Sequence, residues 1–212
     1  MVALSCSMLE GRSKVRLRYN KPARVWTEAL PVGNGKLGAC VFGNVEKERL
    51  LLNEDTLWSG PPKEWNNPGA RRALAEVRRL VDAGKYEEAD QKAKEMMGPF
   101  TQSYLPLGDL HIQFYHGDHA GNYERGLDMP NGIAYVRYNI GKVGYTREVF
   151  ASYPDRVIVV RLAASEPGLL DFSVQLDSLL PHRCGADEGV LFMAGYCPEH
   201  VDPNYYWTDH PV

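Results

Sequence analysis

WTEALPVGNGKLGACVFGNVEKERLLLNEDTLWSG, residues 26–60, reads as one continuous β unit. A polar lead-in runs to a glycine turn at Gly33-Asn34-Gly35, then a small-residue strand, a charged hairpin tip and an apolar strand. The stretch ends in Asn53-Glu54-Asp55-Thr56-Leu57-Trp58-Ser59-Gly60, an acidic and aromatic cluster where a strand gives way to a loop. Carboxylates and an amide can take a sugar's hydroxyls in pairs, and an indole can cover its C–H face. Asn53, Glu54 and Trp58 are therefore the candidate substrate-binding residues, set at a strand end, where rigid scaffolds carry function. The plainer alternatives stand beside them: a tryptophan is more often core than platform, and of Glu54 and Asp55 one can cap a turn while the other is solvated. Adjacent strand residues also point to opposite faces, so Glu54 and Asp55 cannot work on one substrate as a pair.

Working outward, residues 15–60 read as strands and 68–97 as a helical hairpin. Asn67 is placed to cap the first helix, with Pro68 at the first helical position. Ala70, Ala73, Leu74, Val77, Leu80 and Val81 form one apolar stripe that Gly84 ends. A second stripe, Tyr86, Ala89, Ala93, Met96 and Met97, stops at Gly98-Pro99. A short turn makes the two helices antiparallel neighbours. A single such pair is too little for a repeat array, which argues against an interaction module built on this hairpin.

Residues 105–178 show period-two alternation between turn signals: 110–115, 134–140, 145–150 less strictly, and 170–176. Val157–Leu162 is nearly continuous apolar and is expected to be a central strand. Strands joined by hairpins without intervening helices predict a mainly β fold, an antiparallel β-sandwich with an inserted helical hairpin. Residues 179–212 read as a loop-rich tail with one last strand at Val190–Ala194 and no return, so the sandwich is expected to be incomplete, with one exposed edge. Residues 15–212 form the expected domain, and 1–14 a disordered or cloning-derived lead.

The 212 residues are 44% hydrophobic and 24% charged, as in globular proteins. A net charge of −3 gives no basic face for nucleic acid. No apolar run approaches the ~18 residues of a membrane span, and MVALSCSMLEGR lacks the basic leader of a signal peptide. The compartment stays open, with the cytoplasm favoured. Cys6, Cys40, Cys184 and Cys197 show no metal spacing; a Cys184–Cys197 bridge is one option and free thiols the other.

Other chemistry is poorly supplied. His111, His116 and His119 suggest a metal site, but His116 and His119 lie across a Gly-Asp hairpin turn, where polar residues gather without ligand duty. Asp187 and Glu188 lie in a glycine-flanked loop and read as surface charge. The glycines of GNGKLG (33–38) lack the spacing and the succeeding helix of a phosphate loop, and no GxSxG elbow is present. The expectation is no cofactor and no metal.

Several segments together resemble glycoside hydrolase family 95, the 1,2-α-L-fucosidase family: Lys21-Pro22-Ala23, WTEALPVGNGKLGACVFG (26–43), LNEDTLWSGPP (52–62), YEEA (86–89), YLPLGDL (104–110) and GYCPEHVDPNY (195–205). The resemblance runs from about residue 15 to the end and corresponds to that family's N-terminal β-sandwich. It implies a parent enzyme that hydrolyses terminal α-L-fucosyl linkages with inversion, with α-L-galactosides as an alternative substrate. Its catalytic residues lie in an (α/α)6 barrel beyond this segment, so none is carried over. The implied partners are that barrel and, through the parent, a fucosylated oligosaccharide. The 212-residue chain alone is expected to be inactive. A free-standing carbohydrate-binding β-sandwich is the alternative.

Overall fold

A computed structural model describes residues 15–202 of the chain. The 1–14 lead and the last residues of the 195–205 run lie outside the described residues. The described residues divide into two compact units: one combines 15–57 with Pro106–Tyr196, the other Trp58–Leu105 with 197–202.

The first unit is an antiparallel sandwich of two five-stranded sheets. One runs β1 (Arg16–Tyr19), β6 (Gly121–Asp128), β7 (Ile133–Ile140), β8 (Val143–Ser152) and β9 (Val157–Ala164) in spatial order. The other runs β10 (Phe172–Asp177), β5 (Gly108–Phe114), β4 (Lys47–Glu54), β3 (Leu37–Val41) and β2 (Leu30–Gly33). Strands β11 (His182–Asp187) and β12 (Val190–Gly195) form a separate hairpin.

Register explains why the sheets pack. Leu17, Leu127, Ala134, Val149 and Val160 stand opposite one another across the first sheet. Leu30, Val41, Leu50, Leu110 and Leu176 do the same across the second. Residues of both rows meet in one core cluster, in which Leu50 and Ala134 are fully buried. Fully burying one such leucine is worth roughly 1.5–3 kcal/mol. Since side chains alternate, a one-residue slip in any strand would turn its contribution outward, and that fixes the register.

Three elements differ from the sequence expectation. Val157–Leu162 is not central: β9 is the outermost strand of its sheet among the described residues. Its run is apolar on both sides because Ile158 and Val160 enter the core while Val159 stands opposite Phe150 on the outer face. The polar segment GNYERGLD forms β6, an interior strand between β1 and β7. The tail is a hairpin whose turn uses left-handed Glu188 (φ 44°) and Gly189 (φ 81°). Cys40, Cys184 and Cys197 are free thiols.

The second unit holds α1 (Ala70–Asp82) and α2 (Tyr86–Ala93). Gly84 ends α1 with φ 69°. The start of α1 differs from expectation: Gly69 stands at the cap position. Asn67 acts earlier, its Oδ1 accepting the Gly69 N–H at 2.8 Å while its amide donates to the Glu95 and Met97 carbonyls. Asn67 thus ties the beginning of one helix to the end of the other. Ala73, Leu80 and Ala89 are buried, whereas Val81 and Tyr86 face outward.

Candidate functional site

Asn53 and Glu54 close β4, and the strand's alternation decides what they can do. Glu54 shares the inward parity of Glu48, Leu50 and Leu52; Asn53 shares the outward parity of Arg49 and Leu51. The two point to opposite faces of the sheet, so the structure does not bring them together around one ligand as a strand-borne pair. Gly38 stands opposite Asn53 and leaves the space beside its Cβ empty.

The glycine turn shapes the approach to Glu54. Asn34 Oδ1 accepts the Lys36 and Leu37 N–H groups at 3.0 and 2.8 Å, and its amide donates to the Ser152 carbonyl at 2.7 Å. Gly35 takes φ 87°, open to glycine at no steric cost. The GNG motif is therefore a turn stapled by its central amide. The turn also positions Lys36, whose Nζ lies 3.8 Å from Glu54 Oε1 and whose carbonyl accepts the Asp55 N–H.

Glu54 Oε2 accepts both the Thr56 hydroxyl at 2.6 Å and the Thr56 N–H at 2.8 Å. The hydroxyl, then the N–H, holds the Glu54 carboxyl below the usual carboxylate range, with Asp55 and Lys36 adding to the effect and partial desolvation opposing it. Such a group stays ionised at neutral pH. It can accept from a sugar hydroxyl, but it is unsuited to serve as a general acid, which needs a raised value.

Trp58 opens the second unit. It forms an isolated antiparallel bridge with Tyr104, and the two rings meet edge to face with centroids 5.1 Å apart. Both remain partly exposed, Trp58 at 49% and Tyr104 at 39%, so Trp58 is not a core tryptophan. The next two residues are tightly held. Ser59 is 1% exposed; its N–H donates to the Ser103 carbonyl and its hydroxyl to Gln102 Oε1. Gly60 has φ 78°, and a Cβ there would fall 2.6 Å from Gln102 Cδ. The SG step thus presents Trp58 from a rigid base. The three candidates belong to different units, Asn53 and Glu54 to one and Trp58 to the other.

The histidines go elsewhere. His116 stacks on Phe114 and shares a hydrogen bond with the Tyr138 hydroxyl at 2.8 Å. His111 lies on the outer face of β5, opposite Arg49 and Gln175.

Sequence reading misses the most deeply buried charges. Glu48 and Arg147 are 2% and 3% exposed and join the two sheets through Oε2 and a guanidinium nitrogen 2.7 Å apart. Glu48 Oε1 accepts the Gly43, Asn44 and Arg49 N–H groups. The Arg147 guanidinium also donates to the Asn44 and Val45 carbonyls and lies between the Phe114 and Tyr138 rings. Burial pushes the Glu48 carboxyl above the usual range, opposed by Arg147 and the three N–H groups. The signal that could reveal them is parity: Glu48 falls in step with Leu50 and Leu52, and Arg147 with Tyr145 and Val149.

Known proteins have similar sequences. The profile of the glycosyl hydrolase family 65 N-terminal domain matches residues 17–208. Alpha-L-fucosidase 2 of Arabidopsis thaliana is 42% identical over 196 residues, covering 90% of this chain and 23% of the relative. Probable alpha-fucosidase A is 32% identical in Aspergillus niger, over 66% of this chain and 18% of the relative. In Aspergillus oryzae it is 34% identical, over 68% and 21%. The chain therefore spans about a fifth of the length of these curated relatives. The profile spans nearly the whole chain, and the chain belongs to the family it describes, the glycosyl hydrolase family 65 N-terminal domains.

Proposed function

We propose that this chain is the non-catalytic N-terminal β-sandwich of a family 95-type α-L-fucosidase, supporting an (α/α)6 catalytic barrel. The observation that carries this reading is the 42% identity to Alpha-L-fucosidase 2 across 90% of the chain, beside the long motifs at 26–43 and 52–62. The parent would cleave terminal α-L-fucosyl bonds with inversion. The sandwich's own chemistry supports a structural role. Asp128, Glu124, Asp109, Glu48 and Glu148 are each ion-paired with an arginine, namely Arg16, Arg18, Arg49, Arg147 and Arg161. Strand carboxylates so engaged are stabilisers of sheet pairing, not an acid and base facing a substrate.

The loop after β4 is the part lent to the substrate. Glu54, held ionised, accepts hydroxyl hydrogens; Trp58, in the other unit, offers a half-exposed ring of its own; Asn53 faces away from Glu54 and takes no part in the same contact. Two measurements test the reading. Purified 212-residue chain should release no fucose from 2′-fucosyllactose, and release would overturn the non-catalytic role. In the full-length protein, Trp58→Ala should raise KM by about tenfold, the ~1.4 kcal/mol of one lost ring contact, with kcat nearly kept. A fall in thermal stability with KM unmoved would make Trp58 structural. Binding of fucosylated glycans by the isolated chain would instead favour a free-standing carbohydrate-binding module.

A further inference from the structure

The outer face of the first sheet carries an open groove of about 330 Å³ that the proposed role leaves without a use. Small residues make its floor. Thr146 stands between Arg137 on β7 and Ala163 on β9, and Gly144 stands opposite Asn139. A Cβ at Gly144 would meet no heavy atom nearer than 3.9 Å, so this glycine is not demanded by packing. Asn122 reaches the groove through an irregularity in β6, where the register shifts between Gly121 and Glu124 and Asn122 takes φ 53°. Bulges of this kind re-aim a side chain at a chosen place.

Arg137 sets the charge of the groove. Its guanidinium lies over the Tyr135 ring, 4.8 Å from the centroid, a contact that limits the freedom of a planar cation. The carboxylates beside it are engaged: Glu124 by Arg18 at 2.9 Å and Glu148 by Arg161 at 2.8 Å. Among the described residues no carboxylate pairs with Arg137. The groove thus combines a pre-oriented cation, two amides (Asn122 and Asn139) and the Thr146 hydroxyl around a floor without bulk.

We propose that this groove binds an acidic sugar unit, a hexuronate residue of a glycan. The guanidinium presents two parallel N–H donors that match a carboxylate. Amide side chains offer a donor and an acceptor together, as adjacent ring hydroxyls require. The volume lies at the small end of ligand sites, suited to one sugar ring. A neutral sugar would leave the Arg137 fork unmatched; an acidic peptide would meet the fork but lacks the adjacent ring hydroxyls the two amides suit, and it is the competitor the test sets against the sugar.

Isothermal titration of the full chain at physiological salt tests this with trigalacturonate, its methyl ester and hexaglutamate. The free acid should bind about tenfold more tightly than either of the others, the worth of a charge-assisted bidentate contact. Arg137→Gln should remove that preference and leave binding of the ester unchanged. Asn139→Ala should weaken both sugars about threefold, one hydrogen bond's worth, without moving Tm. Should Arg137→Gln disturb folding, Asn139→Ala and Thr146→Ala, each checked by Tm, decide instead. No binding at millimolar acid, equal affinity for acid and ester, equal affinity for the peptide, or variants that bind like the original chain would overturn the proposal.

Discussion

Glu48 and Glu54 stand at the two ends of β4 on the same face of one sheet, and their surroundings give them opposite characters. At the start of the strand the facing sheet brings Arg147, the hairpin before it turns the Gly43 and Asn44 N–H groups onto one carboxylate oxygen, and the Arg49 N–H on the strand itself joins them. At the end, the chain leaves the sheet and Thr56 folds back onto Glu54. The first carboxylate is a fastener between sheets; the second is a solvent-side acceptor. Residue type and parity are the same in both, so the difference comes from what the neighbouring segments supply: a buried cation across the core, or a hydroxyl two residues on.

The contrast breaks most readily at Glu48. Replacing Arg147 with methionine leaves a carboxylate buried without its cation and should cost about 3–5 kcal/mol in urea unfolding. The double replacement Glu48→Leu with Arg147→Met should cost less than either single change, because no charge is then stranded. A loss below about 1 kcal/mol for Arg147→Met, the range of exposed pairs, would place Glu48 with Glu54 and end the distinction.

The loop that serves Glu48 offers the next test. Gly43 donates its N–H to Glu48, takes φ 79°, and a Cβ there would lie 2.7 Å from Tyr123 Oη and 2.8 Å from Arg125 Cδ. Gly43→Ala combines a left-handed conformation with overpacking and should cost about 2–4 kcal/mol. Gly35, in the turn near Glu54, has φ 87° but nothing within 4 Å of an added Cβ. Gly35→Ala should cost only the conformational part, about 1 kcal/mol. Equal losses by thermal unfolding would mean that packing around Glu48 is no tighter than around the exposed end.

These two ends also show how far the sequence can be read. Alternation exposes β7 and β10, and Gly84 marks the helix stop, since both signals are local. Segment 121–128 escapes such a reading because Arg125, an inward residue, looks like surface. It is 3% exposed, donates to the Lys21 and Glu28 carbonyls and lies against Tyr19, partners far away in sequence. Arg147 blurs β8 in the same way. At the site, the cluster after β4 is visible by residue type. That Asn53 and Glu54 face opposite ways comes from the pleat, but whether Trp58 is buried depends on Ser59, Gln102 and Tyr104 closing beneath it.

The finest test reads the two carboxylates directly. Carbon-detected NMR titration should find Glu54 titrating below the ordinary glutamate range and Glu48 above it. Thr56→Val removes the hydroxyl that contributes most and should move Glu54 upward while Glu48 stays in place. The two also couple to stability with opposite sign. Glu54's depressed value contributes stability that is present above the unfolded glutamate value and is lost as pH falls through the folded one. Glu48's raised value contributes in the other direction, present below the unfolded value and lost as pH rises through the folded one. Acidification should therefore weaken the end of β4 while relieving the desolvation at its start. Backbone amide exchange along this single strand should fan apart, faster near Asn53 and slower near Arg49, as pH is lowered through the carboxylate range, after correction for intrinsic rates. Uniform change along the strand would show that the two glutamates share one environment after all.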